Sequence, residues 1–134
     1  MKYFTIDEFT RSEAAKKLKI DNTPTKEAID NLNALVDNLL DPLRELYGKP
    51  IFVNSGYRSK KLNKAIFGAP NSQHMTGEAA DIEGFDRSVK ENKKLFELIK
   101  NSGLPFDQLI NESNYSWVHV SYSKKKNRRQ ILNL

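Results

Sequence analysis

An α+β fold is the class this sequence predicts, with a small, mostly antiparallel sheet and helices packed on one side of it. Three observations predict it. A strong helical period runs through the first third of the chain. Short runs of β-branched and aromatic residues recur after Ile51. Helices come first and short strands dominate later. At 134 residues, the chain is long enough for one core but not two, so residues 1–134 read as a single domain.

The elements follow in order. Ser12 is placed to cap a short polar helix ending near Leu18. Asp21-Asn22-Thr23-Pro24 is a turn, and Pro24 suits the first position of the next helix. From there to Tyr47, Ala28, Ile29, Leu32, Leu35, Val36, Leu39, Leu40, Leu43 and Leu46 fall three or four apart, the stripe of a core-facing helix. Pro42 is expected to kink or restart it, with Asp41 as the new cap. Ile51–Asn54 reads as a strand, Ser55–Ser59 as a loop, and Lys60–Phe67 as a short helix closed by Gly68. Residues 68–77 form a loop rich in Gly, Pro, Asn and Ser, long enough to suggest function. Ala79–Glu83 is a second strand. Asp86 or Ser88 caps a helix to about Asn101, ended by Gly103. Gln108–Glu112, Trp117–Tyr122 and Gln130–Leu134 are three further strands.

Composition narrows the chemistry. There is no cysteine, which excludes disulfides, thiol nucleophiles and thiolate metal sites. There are two histidines, so imidazole chemistry rests on His74 and His119. The net charge of +5 favours polyanionic surroundings such as nucleic acid, an anionic membrane face or a wall polymer. The basic runs Lys124–Lys126 and Arg128-Arg129 lack the interleaved aromatics of a single-strand binder, which argues against nucleic acid. No apolar run is long enough to span a membrane, and the N-terminus is charged too early for a secretory signal. The expectation is cytoplasmic synthesis, with some other route of release if the protein acts outside.

His74 lies in the suspicious loop, and Asp81 follows it within Glu78-Ala79-Ala80-Asp81-Ile82. Alternation places Ala80 and Ile82 on one face of that strand and Asp81 on the other. In Trp117-Val118-His119-Val120-Ser121, the valines face the core and His119 faces away. Two histidines and a carboxylate from one sheet region match an open catalytic zinc set. On spacing alone, three ordinary hydrogen-bonded residues are the commoner reading. If Ser113–Ser116 is a four-residue hairpin loop, Glu112 lies opposite Trp117, on the diagonal to His119 at about 7–8 Å between backbones. That suits either a base near a metal or a solvated acid. Arg58, directly after the first strand, could grip a carboxylate bidentately or form a surface ion pair.

Ser55-Gly56-Tyr57-Arg58-Ser59, Leu62-Asn63, Ser72-Gln73-His74-Met75-Thr76-Gly77-Glu78-Ala79-Ala80-Asp81 and Trp117-Val118-His119-Val120-Ser121 resemble the zinc D-Ala-D-Ala carboxypeptidase family of cell-wall peptidases. That family includes phage endolysins and shares its fold with the hedgehog signalling domain. The resemblance covers nearly the whole chain and is nearest to compact phage and prophage members. It implies one Zn2+ held by His74, Asp81 and His119. Several branches place an acid three residues before the last histidine, where this chain has Ser116. The hedgehog-like branch places it further upstream, which makes Glu112 the catalytic base. Arg58 matches the substrate-binding arginine, and Ser72 and Gln73 are further candidates to orient substrate or a ligand.

The implied function is zinc-dependent hydrolysis of peptidoglycan stem-peptide amide bonds next to D-alanine, with water activated by Glu112. Carboxypeptidase and endopeptidase, or endolysin, action both remain open. So does a zinc-containing binding module or phage tail component of the same fold without significant activity. The implied partner is the wall peptide, without nucleic acid or membrane span, and the protein is expected to be a monomer. Its expected place of action is the cell wall or periplasm, after phage-type release or as part of a virion.

Overall fold

The computed structural model describes residues 1–134. A first helix, α1 (Ile6–Thr10), escapes the hydrophobic period because it is barely longer than a turn. Its sequence signal is Thr5-x-x-Glu8, and the Glu8 carboxylate accepts the Thr5 N–H at 3.0 Å. Ser12 caps α2 (Glu13–Leu18) as expected, its hydroxyl accepting from the Ala15 N–H at 3.1 Å. The next helix, α3 (Lys26–Leu35), begins later than Pro24 suggested. Thr25 is its cap, because its hydroxyl can accept an orphan N–H, here that of Ala28 at 3.1 Å.

The long apolar stripe is one continuous path: α3, a π-helical turn at Val36–Leu40, and α4 (Asp41–Tyr47). The helix changes form just ahead of Pro42 as expected, but the expected cap at Asp41 is corrected. Asp41 has helical angles, φ −64° and ψ −49°, and caps nothing. The wider π turn lies just ahead of Pro42, where the missing N–H and the ring both require a relaxed ladder. The Asp41 carboxylate instead accepts the backbone N–H groups of Lys2 and Tyr3, at 2.7 and 3.1 Å, and pins the N-terminal segment.

Five strands form one mixed sheet: β1 (Phe52–Ser55), β2 (Ala79–Glu83), β3 (Gln108–Glu112), β4 (Trp117–Ser121) and β5 (Gln130–Asn133). Their order is β1-β2-β4-β3-β5. The β1–β2, β2–β4 and β3–β4 pairs are antiparallel, and β5 joins β3 in parallel. The sheet is thus mostly antiparallel, as the sequence predicts, with a parallel edge that local patterning does not reveal. Between β1 and β2, Ser59 caps α5 (Lys60–Ala65) by accepting from Leu62 N–H at 3.1 Å. This helix stops two residues earlier than expected, and Phe67, not Gly68, takes the left-handed conformation after it. Ser88, rather than Asp86, caps α6 (Val89–Asn101), accepting from Glu91 N–H at 3.1 Å.

The alternation predicted for the strands is present. Ala80, Ile82, Leu109, Val118 and Val120 are fully buried on one face, against Leu32, Leu35 and Leu39 of the long helical path and Leu95 and Ile99 of α6. Burying each such leucine contributes about 2 kcal/mol. α6 crosses β2, β3 and β4 on this face. The other face is left for a cleft.

Candidate active site

β2 and β4 place Asp81 directly opposite His119, and Ile110 of β3 lies on the other side of His119 in the same row. Glu112 is opposite Trp117, as the four-residue hairpin loop predicts. It therefore lies diagonal to His119 on the open face. The turn that makes this possible is strained: Ser113, Asn114 and Tyr115 all have positive φ, at 48°, 55° and 64°. Asn92 of α6 secures it, donating to the Tyr115 and Ser116 carbonyls at 3.0 and 3.2 Å.

His74 arrives differently. It belongs to no strand but to a 3-10 turn, Gln73–Thr76, inside what the sequence marks as loop. The Ser72 hydroxyl caps this turn by accepting the His74 N–H at 3.2 Å. Gly77 closes it with φ 77°, where an added Cβ would lie 2.4 Å from the Ala28 carbonyl oxygen. The turn is thereby wedged against α3. His74 is 2% exposed, and its ring meets that of His119 edge-on, with centroids 5.1 Å apart.

The donor set fits a metal ion. One ligand atom each from His74, Asp81 and His119 all lie within 4.8 Å of one another. His74 Nδ1 is 2.7 Å from the Gly56 carbonyl oxygen, which can only accept, so Nδ1 carries the proton. Nε2 then turns its lone pair toward Asp81 Oδ2 at 3.4 Å. Two acceptors facing each other need a proton or a cation between them. Tetrahedral zinc with bonds of about 2.0–2.1 Å separates its ligands by about 3.3 Å, close to this spacing. His119 Nδ1 stands 3.0 Å from Asp81 Oδ1. Burial pushes the Asp81 carboxyl up, but its hydrogen bond with His119 is the largest of the opposing effects that outweigh it. The group is held well below its ordinary value of 3.8 and is ionised.

A cleft of about 720 Å³ opens over this group. Every residue nominated from sequence lines it: Arg58, Ser72, Gln73, His74, Asp81, Glu112 and His119. Arg58 reaches it from the loop after β1, where its N–H donates to the His74 carbonyl at 3.0 Å. Its guanidinium lies 3.3 Å from Asn63 Oδ1. Burial lowers its pKa, and the Asp81 charge opposes that.

Among the cleft-lining residues not nominated from sequence as site residues are Trp117 and Arg128. Trp117 is next to Glu112 in register, a relation the strand alternation already contained. Arg128 comes from the basic segment and ion-pairs with Asp107 at 2.8 Å. A pair 21 residues apart leaves no local signal. A separate cavity of about 800 Å³ lies between α1, α2 and Asp21–Pro24, and only two of its lining residues are hydrophobic. It holds none of the metal-ligating group.

The fold and the site together define a class: an α+β protein with an open two-histidine, one-carboxylate group on the solvent face of its sheet and a further carboxylate beside it. The chain belongs to the peptidase M15 family, whose sequence profile matches residues 2–121. It is also 50% identical over 52 residues to the zinc D-Ala-D-Ala carboxypeptidase of Streptomyces albus G. That match covers 37% of this chain and 20% of the relative, so the chain spans about a fifth of that protein's length.

Proposed function

We propose that this protein is a zinc-dependent peptidase that hydrolyses amide bonds next to D-alanine in peptidoglycan stem peptides. The observation that carries the reading is the convergence of His74, Asp81 and His119, with ligand atoms within 4.8 Å, in a cleft shared with Glu112 and Arg58. Membership of a peptidase family and the name of the Streptomyces relative support the zinc, the amide bond and the D-alanine. A single domain over residues 1–134 and kinship with the hedgehog-type fold belong to the same reading.

His74 Nε2, an Asp81 carboxylate oxygen and His119 Nδ1 would hold the ion. The bound zinc supplies Lewis-acid chemistry, acidifying water and polarising a carbonyl. Glu112 takes the proton of the attacking water and returns it to the leaving amine. Arg58 holds a carboxylate of the peptide through its paired N–H groups. Ser72 fixes the His74 backbone, and the Gly56 carbonyl fixes its ring. The reading places the protein at the cell wall. No helix is long and apolar enough to cross a membrane.

Purified protein incubated with muropeptides tests this, with chelator, with zinc restored, and as Glu112→Ala. Cleavage is expected to vanish with chelator, to return with zinc, and to fall about 10²- to 10⁴-fold in the variant. Stoichiometric zinc without cleavage on a broad panel leaves a binding module. A protein that takes up no zinc overturns the reading.

A further inference from the structure

Two buried side-chain polar atoms in the protein lack a hydrogen-bond partner, Arg58 Nε and Gln73 Oε1, and both residues line the cleft. Buried polar atoms are nearly always satisfied, so an orphan in a cleft wall marks a place where a ligand completes the bonding. The Gln73 orphan is the more informative, because the structure shows what orients it.

Gln73 Nε2 donates to Asp107 Oδ2 at 2.9 Å. Asp107 is 4% exposed and receives three more bonds: Arg128 Nη2 to Oδ2 at 2.8 Å, Arg128 Nε to Oδ1 at 2.9 Å, and the Arg128 backbone N–H to Oδ1 at 3.0 Å. The Arg128 hydrogen bonds hold the Asp107 carboxyl at about 2, so it is an ionised, accept-only partner. An accept-only partner decides which end of the amide faces it. The NH2 group must turn to Asp107, and the carbonyl oxygen is left without a donor. The backbone of Asp107 is fixed as well, between the Ser121 carbonyl at 2.8 Å and the Gln130 N–H at 2.9 Å.

We propose that Asp107 and Arg128 are positioning residues that lock the Gln73 amide with its unpartnered oxygen in the cleft wall, where it accepts an amide N–H of the peptide substrate. This rests on the peptidase reading above and adds to it a specific recognition of backbone N–H. It also gives Arg128, which lies beyond the matched family residues 2–121, a role at the site. The remaining basic residues divide differently: the Arg129 guanidinium lies 4.4 Å from the Phe106 ring and donates to the Leu104 carbonyl. The segment is therefore not one continuous basic strip.

The test is a double-mutant cycle on the zinc-loaded protein with a peptide ending in D-Ala-D-Ala, reading KM and kcat by cleavage and Kd by calorimetry. Gln73→Met keeps the side-chain length and removes the acceptor. It is expected to raise KM and Kd about tenfold, with kcat changed much less. Asp107→Asn frees the amide to flip and is expected to give a similar rise. The double variant is expected to be no worse than Gln73→Met alone, because both remove one interaction. Arg128→Lys is expected to recover part of what Arg128→Ala loses. Peptides N-methylated at each amide in turn supply the second readout. Methylation at one position is expected to weaken binding to the wild type and leave Gln73→Met indifferent.

Additive losses in the double variant, or N-methylation effects identical in wild type and Gln73→Met, overturn the proposal. Identical effects are also the result if only water occupies the Gln73 acceptor. If the wild type binds the peptide without cleaving it, the Kd cycle still decides the proposal while hydrolysis itself fails. If it cleaves but the cycle is additive, hydrolysis stands and the proposal falls. If it does not bind the peptide at all, both fall. Zinc stoichiometry and thermal midpoint, followed in each variant, identify any that has simply lost its fold.

Discussion

The two faces of the sheet are made by the same strands and differ in almost everything else. On one, Ala80, Ile82, Leu109, Val118 and Val120 are fully buried under the helices. On the other, Asp81, His119 and Glu112 line an open cleft. A single residue step separates the two sets. The lesson is that the apolar face acts as the jig for the polar one. Its packing fixes the β2–β4 register, and that register alone sets Asp81 opposite His119. Ligands on rigid strands need little ordering when a metal arrives, whereas ligands on a mobile loop would have to be ordered first. His74 is the exception to strand placement, and it is the residue with the most elaborate support: the Ser72 cap, the Gly56 carbonyl and the wedge at Gly77.

The largest break in this contrast comes from the polar face. His119→Ala is expected to reduce zinc content from one per chain to near none, and peptide cleavage by on the order of 10³-fold, while unfolding in urea stays close to wild type. Elemental analysis beside a urea titration measures both. If stability collapses with the metal-free apo protein as reference, the polar face is supporting the fold and the division is wrong.

Next is the apolar face. Leu109→Ala is expected to cost about 3 kcal/mol in urea unfolding. At low temperature, where the fold survives, its zinc content is expected to remain stoichiometric. Loss of zinc binding from the folded variant would show that the register is softer than the structure indicates.

A third change couples the two sides. An added Cβ at Gly56 would lie 2.5 Å from the Phe9 carbonyl oxygen, so Gly56→Ala must shift the loop whose carbonyl holds His74 Nδ1. Zinc affinity is expected to fall about 10- to 100-fold although no ligand is altered. A competitive chelator titration reads this, and unchanged affinity would remove Gly56 from the account.

The smallest effect is on acid stability, away from the cleft. Glu91, 4% exposed, receives the Tyr47 hydroxyl at 2.6 Å and Lys49 Nζ at 2.9 Å. The Tyr47 hydrogen bond first, then that of Lys49, hold its carboxyl at about 2 against an ordinary 4.5. Burial, and then the Glu91 bond, push Tyr47 up to about 12. A depressed carboxyl stabilises the fold fully above its unfolded value and loses that contribution as pH falls through the folded one. The thermal midpoint is therefore expected to drop between about pH 4.5 and 2. Glu91→Gln is expected to flatten that slope, starting from a lower midpoint. An unchanged slope would assign acid sensitivity to other groups, Asp107 first among them.

Much of this site was legible in the chain. Alternation in Ala79–Glu83 and Trp117–Ser121 placed Asp81 and His119 on the face opposite the core, and the hairpin length placed Glu112 opposite Trp117. The family motifs brought these residues together with His74 and Arg58. Other features were not legible. The cap at Thr25, the π turn before Pro42 and the idle cap at Asp41 depend on competition between neighbouring caps and on the N-terminal segment folding back. The parallel β5 edge depends on a strand returning across the sheet.

By itself, the sequence determined the α+β class, the strands, the core face and the residue types available for chemistry. These are consequences of local periodicity and of two histidines with no cysteine. The tertiary structure alone decided which tautomer His74 takes, which end of the Gln73 amide meets Asp107, and that Arg128 lines the cleft and pairs with Asp107. Each of those depends on a hydrogen-bond partner distant in sequence. A hydrogen bond is short-ranged and directional, so its partner is fixed only when the folded chain has brought the two groups within about 3 Å.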